Sequence, residues 1–442
     1  MRTKTLTITV LAALALLGSP SRAVETYDVW NSSGVRFMRA RIFGTGDGPF
    51  CCQGDDEHSL RNLPQWEIDH SLAAIRYWAE IIKVAPGQSP AIVNIGGVGD
   101  DNAYAFVPAS PGSGTKVQAA LTGQDPGELH YGAHGMVMIG QMGFSSEAYI
   151  PSQLPMTAKI GLTSVMIHEF AHQLGFSSTI SYERSPYALS GHFPEAINGW
   201  TDHLYDDNGK RAKPGQTIYC SACANPRADD VFDLRRDRGY FAGKYVSEVL
   251  AGAMPGIPVR VMNEDGRLDA PFASHSELKN SLMSHQQYGN YTFLMEAELA
   301  ALQDIGYSID RRKLFGYSIY GSGLNVVNDN PFFARTADGT AYLPNTYNTA
   351  TLGVGLHVYG SGNTVVQRAD LLSGGAGGAG IRVDGENIGS QFRRGPAFMR
   401  TAPMRAASCS PTAKIIRSLS VVTCRLSASM VSQQASTLAT IR

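Results

Sequence analysis

The sequence contains few cysteines, almost no net charge and, after its first residues, no long apolar run. Its 442 residues include six cysteines, which are too few to form the framework of a disulfide-dependent fold. Lysine and arginine number 37 against 38 aspartates and glutamates, and the net charge of −1 argues against nucleic acid or an anionic membrane as a partner. No later segment is apolar enough for a transmembrane helix. The length leaves room for two or three domains.

The first 23 residues have the pattern of an export signal. Arg2 and Lys4 give a charged start, and residues 6–17 form an apolar run too short to span a membrane comfortably. Ser21–Ala23 has the small residues of a cleavage site. We therefore expect an exported protein, extracellular or on a bacterial cell surface, whose mature chain begins near Val24.

Four of the cysteines form two close pairs. They are Cys51 with Cys52 and Cys220 with Cys223, and four cysteines allow three pairings. The spacing of the second pair also fits a structural metal or a redox site. Because the chain is expected to be exported and has no second Cys-x-x-Cys pair, we expect disulfides.

Two histidines and a glutamate that could take part in metal binding and catalysis lie in one apolar stretch. His168 and His172 are four residues apart, so on a helix they lie on one face and can bind one metal ion together. Glu169 lies on the flank of that face, where it can take and return a proton. The apolar residues 160–167 predict a buried helix, and Gly175 stands where that helix would end. The pattern H-E-x-x-H-x-x-G resembles that of the metzincin zinc peptidases.

A catalytic zinc site needs three protein ligands, and the third must come from elsewhere in the chain. In the commoner metzincins it is a histidine ten positions after the first, where this chain has Ser178. His275 is the best candidate, because Met283 follows it at a distance suited to the methionine turn that lies under the zinc in metzincins. The rival histidines are His130, His134, His192 and His203, which lack either that methionine or a suitable spacing.

These features, with a closing helix that ends in Leu302–Tyr307, resemble the leishmanolysin family of zinc endopeptidases. The resemblance is close over about 156–177 and 272–307 and only architectural over about 64–155. It implies a peptidase whose zinc-activated water hydrolyses peptide bonds in protein or peptide substrates. The implied site residues are His168, His172 and His275 around one Zn²⁺ per chain, Glu169 as the general base and Met283 as the Met-turn residue.

The chain before residue 313 predicts an α+β fold. Alternation over 35–43 and the apolar run 91–95 predict strands, and apolar positions at helical spacing over 64–83 predict a helix. His70, within that helix, is interpreted as a surface or packing histidine. The resemblance implies a metzincin-like domain with a twisted mixed sheet and an active-site helix.

A short apolar strand at 135–140 precedes the histidine motif. In metzincins the strand at this place is the sheet edge that borders the cleft, and an extended peptide could add to it as an antiparallel strand. The alternative is an ordinary strand of the sheet. The substrate-aligning residues predicted here are Gly135, Met136, Val137 and Met138.

Residues 313–390 differ in composition, because Gly, Asn, Thr and Val dominate and helical patterns disappear. Tyr320–Val327 recurs as Tyr359–Val366, and Gly355–Asn363 recurs as Gly380–Asn387. Short β-runs with Gly-Asn turns at this spacing predict the coils of a short, all-β, β-helix-like segment. This segment resembles the passenger region of bacterial autotransporters.

The residues after Glu386 include no acidic residue and eight basic ones. We expect a disordered tail, or one produced by a change of reading frame that cut off a longer protein, with binding to an acidic surface as the alternative. The chain therefore divides into a signal peptide at 1–23, a zinc metallopeptidase domain at 24–312 with subdomains 24–175 and 176–312, a β-helix-like repeat segment at 313–390, and a basic tail at 391–442.

The function predicted from these observations is that of a secreted, zinc-dependent endopeptidase. The alternative is a non-catalytic surface or adhesin module of an autotransporter passenger, in which the repeat segment binds a ligand. A pure adhesin has no need of His168, Glu169 and His172 together.

Overall fold

A computed structural model gives the protein a mixed α+β architecture with several sheets and few helices. None of the helices in the described residues is long and apolar enough to cross a membrane. The export signal predicted at 1–23 lies outside these residues. For 181–185, 188–192, 217–220, 390–393 and 421–426 the structure describes the backbone alone. The described ranges are 24–51, 58–84, 87–99, 103–110, 114–141, 143–146, 161–178, 181–185, 188–192, 199–206, 208–213, 217–220, 239–259, 273–284, 294–393 and 421–426.

The described helices and strands before residue 310 belong to several small units. The helices are α1 Gln65–Ile81, α2 Lys116–Thr122, α3 Leu162–Gln173, α4 Gly199–Asp202, α5 Lys244–Leu250 and α6 Glu296–Asp304. The strands are β1 Glu25–Trp30, β2 Arg36–Phe43, β3 Ile82–Lys83, β4 Ala91–Gly97, β5 Tyr104–Phe106, β6 Ala109–Ser110, β7 Gly114–Thr115, β8 Gly135–Ile139, β9 Ser181–Ser185, β10 Ala188–His192, β11 Leu204–Tyr205, β12 Thr217–Cys220, β13 Gly239–Phe241, β14 Ile257–Val259 and β15 Ser308–Ile309.

The largest sheet has the strand order β1-β2-β4-β8-β5. Strands β2, β4 and β8 run parallel to one another. On one side of them β1 pairs antiparallel with β2, and on the other side β5 pairs antiparallel with β8. All five residues of β8 are buried, as expected for an apolar strand inside a sheet. The predictions of strands over 35–43 and 91–95 are confirmed by β2 and β4.

The strand before the histidine motif is not the sheet edge, which corrects our expectation. Gly135, Met136, Val137 and Met138 lie in β8, and all four pair with β4, while Met136, Val137 and Met138 also pair with β5. A peptide therefore has no free edge at β8. In the described residues the outermost strand on this side is β5.

Helix α1 packs against α3 and fixes its position. The indole nitrogen of Trp78 donates to the carbonyl oxygen of Ile167 at 3.1 Å, and Nδ1 of His70 lies 2.7 Å from the Thr163 hydroxyl. His70 is fully buried, and burial lowers the pKa of its imidazole. The interpretation of His70 as a packing residue is confirmed.

The insertion between the second and third histidines contributes two three-stranded sheets, β12-β10-β9 and β11-β13-β14. Trp200 lies in the short helix α4 and is buried against Phe176 and Phe241.

The expectation of disulfides is confirmed for Cys51, which is buried and disulfide-bonded. Cys220 lies in β12, where the structure describes only the backbone. Cys52 and Cys223 lie outside the described residues.

Residues 315–393 form two ladders of parallel strands, and these strands are the predicted repeats. The ladders have the orders β16-β20-β22 and β17-β21-β23, with residues 39 and then 25 positions apart lying side by side. The rings of Tyr320 and Tyr359 are 5.1 Å apart. The larger step accommodates the hairpin β18–β19. The strands are β16 Phe315–Ile319, β17 Asn325–Asn328, β18 Phe333–Arg335, β19 Tyr342–Tyr347, β20 Val354–Val358, β21 Thr364–Gln367, β22 Ala379–Val383 and β23 Ile388–Arg393.

The boundaries predicted at 312 and 390 do not coincide with structural breaks. Phe315, Tyr320 and Val354 belong to the same apolar core as α1 and α6. Strand β23 continues past residue 390 and pairs antiparallel with a strand of the tail, β24 Val421–Leu426. That strand differs from our expectation of a disordered tail, and the rest of the tail lies outside the described residues.

Candidate metal centre

Helix α3 presents two histidines on one face because their spacing matches its period. The Nε2 atoms of His168 and His172 are 3.1 Å apart. Gly175 adopts φ +120°, which reverses the chain just after the helix, as its position in the sequence predicted. Most of the other residues of the helix are buried.

His275 joins this pair from 107 residues further along the chain. Its Nε2 lies 3.2 Å from Nε2 of His168, and the ligand atoms of the three histidines lie within 4.8 Å of one another. His275 is buried, with 9% of its surface exposed. The structure therefore brings together the three histidines that the sequence nominated, in an arrangement that could hold a metal ion.

Two of the histidines are in the tautomer that points an unprotonated nitrogen toward the centre of the triad. Nδ1 of His168 donates to the carbonyl oxygen of Leu282 at 2.8 Å, and Nδ1 of His172 donates to that of Phe176 at 2.6 Å. In a neutral ring whose Nδ1 carries the proton, Nε2 presents a lone pair. Converging lone pairs repel one another unless a cation lies between them.

The separations also fit a tetrahedral ion. With metal–nitrogen distances of about 2.0–2.1 Å, two tetrahedral nitrogen ligands lie roughly 3.3 Å apart. The observed separations of 3.1 and 3.2 Å are close to that value. The donor set consists of three imidazoles, two of which are oriented by backbone carbonyls, and imidazole is a ligand of several divalent transition metals.

Glu169 is buried between α3 and the edge strand β5. Burial raises the pKa of its carboxyl group to about 8, although a hydrogen bond from the backbone of Ala105 favours the charged form. Only 6% of its surface is exposed. The carboxylate thus lies next to the histidine face and beside β5, as the H-E-x-x-H spacing implied.

Met283 is fully buried in the loop that carries His275. Its backbone N–H donates to the Ser281 hydroxyl at 3.0 Å, and the preceding residue, Leu282, supplies the carbonyl that orients His168. Met283 therefore lies in the loop that supports the site.

Two supports of the site were not predicted from the sequence. The backbone N–H of Ser178 donates to the Ser274 hydroxyl at 2.8 Å, so the His275 loop lies beside Ser178, ten positions after His168. The indole N–H of Trp200 donates to the Ala273 carbonyl at 2.8 Å. Neither contact has a local sequence signal, because each joins segments far apart in the chain.

Three of the four rival histidines form other contacts, and the fourth has no described side chain. Nδ1 of His134 accepts the backbone N–H of Ile92 at 2.8 Å, His203 donates to a backbone carbonyl at 3.0 Å, and His130 stacks on an aromatic ring. The side chain of His192 is not described. Within the described residues, the triad is the cluster that could hold a metal ion.

Comparison of the chain with protein-family models, with curated proteins and with solved structures gave no match. The function of the site therefore has to be inferred from its geometry and chemistry.

Proposed function

We propose that the protein is an exported, zinc-dependent endopeptidase similar to leishmanolysin and the other metzincins. The observation that carries this proposal is the convergence of three imidazole nitrogens beside one buried glutamate. Three neutral histidines next to a carboxylate form the usual donor set and proton-transfer group of a hydrolytic zinc site.

His168, His172 and His275 would hold the ion. A bound Zn²⁺ supplies Lewis acidity, which polarises a carbonyl and lowers the pKa of water. The chain itself supplies the proton transfer, because the Glu169 carboxylate can take a proton from the attacking water and return it to the leaving amine nitrogen. Its burial between α3 and β5 keeps bulk water away from that proton.

The edge strand β5 is the substrate-aligning element of this proposal, in place of β8. It pairs with β8 on one side only, and its Ala105 backbone lies against Glu169. An extended peptide could therefore add to β5 antiparallel, with its backbone beside the carboxylate. Backbone pairing of this kind gives affinity with little dependence on substrate sequence.

The two parallel ladders support a second part of the proposal, that residues 313–393 are β-helix coils like those of an autotransporter passenger. The alternative function, a non-catalytic surface module built on these coils, leaves the histidine convergence without an explanation. It also leaves unexplained why the coils pack on the histidine-bearing part of the chain.

The test compares the full chain with Glu169→Gln, His275→Ala and a control, Glu296→Gln, which alters a buried glutamate on α6. We expect one zinc per parent chain and cleavage of casein. Glu169→Gln should keep the zinc and lose about 10²–10⁴-fold in rate, because general-base catalysis contributes that much. His275→Ala should lose zinc, and Glu296→Gln should keep zinc and activity. Full activity in Glu169→Gln, or no zinc in the parent, would refute the proposal.

A further inference from the structure

The loop that carries the third histidine, residues 273–284, is held from two sides. We name it the third-ligand loop. On one side Glu298 of α6 accepts hydrogen bonds from the hydroxyls of Ser276 and Ser281, and its other oxygen accepts the backbone N–H of Met295 at 2.7 Å. This side belongs to the core that the peptidase domain was expected to form.

The other side is the repeat segment. The side-chain amide of Asn280 donates to Oδ1 of Asp384 at 2.9 Å, and the carbonyl oxygen of Asn280 accepts from Nη2 of Arg382 at 2.9 Å. The neighbouring backbone N–H of Lys279 donates to the hydroxyl of Tyr359, also at 2.9 Å. The side chain and the carbonyl oxygen of Asn280 are thus both bound by a segment about a hundred positions further along the chain.

Asn280 has a backbone conformation that needs this support. Its φ of +64° lies in the left-handed region, which is unfavourable for a residue other than glycine. Asparagine is among the residues that tolerate it best, and the two hydrogen bonds to the repeat segment hold the residue there. The loop would lose this restraint without the repeat segment.

The group that holds Asn280 is a buried cluster of charges. Arg382 Nε lies 2.8 Å from Asp384 Oδ2, and His357 Nε2 lies 2.9 Å from the same oxygen. The three side chains are between 0 and 5% exposed. Although burial alone raises the pKa of the Asp384 carboxyl, Arg382 and His357 together lower it to about 2, so the pair stays charged. A buried ion pair seldom adds stability over an apolar core, which points to a role in fixing geometry.

Asn280 lies five residues after His275 and two before Leu282, whose carbonyl orients His168. We propose that Arg382 and Asp384 are positioning residues for the metal centre, which hold Asn280 and thereby fix both His275 and the Leu282 carbonyl. The repeat segment is then a part of the catalytic unit and not an appended module. The identity of the metal in this inference rests on the proposed function, whereas the contacts of the repeat segment with Asn280 do not depend on it.

The experiment uses the full chain and the variants Arg382→Ala and Asn280→Gly. Glycine keeps the left-handed backbone of residue 280 and removes only its side-chain bond to Asp384. The control is Arg335→Ala, because Arg335 forms a largely buried pair with Asp310 at 2.7 Å in the same segment, away from the third-ligand loop. Three properties are measured, namely hydrogen exchange of peptides from 273–284 in metal-free protein, zinc affinity by competition with a chelator, and the absorption spectrum of the Co²⁺-loaded protein.

We expect Arg382→Ala and Asn280→Gly to speed exchange in the third-ligand loop and to weaken zinc binding on the order of tenfold or more, as loss of the groups that orient ligands does. The absorption spectrum of the Co²⁺-loaded variants should also shift, since the ligand geometry changes. Arg335→Ala should leave the exchange rates and the zinc affinity within about twofold of the parent and the cobalt spectrum unchanged.

If both test variants match Arg335→Ala in exchange and affinity, the positioning role is refuted. If Arg382→Ala fails to fold, Asn280→Gly decides alone. If the parent binds neither zinc nor cobalt, the proposed function fails, and the exchange data still decide whether the repeat segment restrains the loop.

Discussion

Trp200 connects two of the three histidines, and replacing it with phenylalanine tests that connection. Its indole N–H donates to the carbonyl of Ala273, two residues before His275. The centre of its ring lies 4.7 Å from that of Phe176, whose carbonyl orients His172. The side chain is 1% exposed, so solvent cannot replace these contacts.

The expected loss of stability for Trp200→Phe is about 3 kcal/mol. The Ala273 carbonyl becomes a buried acceptor without its donor, which costs roughly 1–3 kcal/mol. The smaller ring removes apolar burial of about 1 kcal/mol, and incomplete closure of the space adds a similar amount at most. Because the ligand loop and the Phe176 carbonyl both loosen, zinc affinity should fall on the order of tenfold.

Urea unfolding followed by far-UV circular dichroism measures the first effect, and chelator competition measures the second. Trp78→Phe is the matched control, since Trp78 is also fully buried and its indole also donates to a carbonyl, that of Ile167 at 3.1 Å. The Ile167 carbonyl lies inside α3 and keeps its helical partner, so we expect a smaller loss of stability and unchanged affinity. A Trp200→Phe variant as stable as the parent, or with the parent's affinity, would contradict this account.

Two further predictions concern the scaffold. Gly135→Ala should destabilise the protein by about 2 kcal/mol or more in thermal unfolding, because a Cβ there would overlap the side-chain amide of Gln173, which is buried and donates hydrogen bonds to the carbonyls of Phe106 and Met136. Gly143→Ala, which meets no atom within 4 Å, should be neutral. His70→Asn should flatten the pH dependence of the free energy of unfolding. Since the pKa of His70 is lowered in the folded state, its contribution is present above the ordinary pKa and is lost as the pH falls from 7 toward 5, at up to about 1.4 kcal/mol per pH unit. Equal slopes in parent and variant, both treated with a chelator, would exclude this role.

The parts of the site that the sequence predicted are those governed by short-range periodicity. The four-residue spacing of His168 and His172 is a property of any helix, and Gly175 marks its end through its own conformational freedom. Parallel pairing of the repeats could be predicted for the same reason, because similar stretches at regular spacing stack on one another. His275 was found only because Met283 follows it at a distance suited to a Met-turn.

Strand order, by contrast, could not be predicted from the chain. The apolar stretch of β8 fits an interior or an edge strand equally well until its neighbours are known, and β5 is a short strand with intermediate burial. The same limit applies to Trp200, whose role depends on Ala273 and Phe176 reaching it from distant segments.

Local sequence patterns were thus enough to predict the helix that carries His168 and His172, the glutamate next to them and the repeated β-segment, because each is encoded within a few turns or strands. The strand order beside Glu169 and the restraint of the third-ligand loop came from the folded structure alone. Those features arise from contacts such as Asn280 with Asp384, 104 residues apart, whose partners no local pattern specifies. Charge, hydrogen-bonding capacity and shape fit there only once the chain has folded.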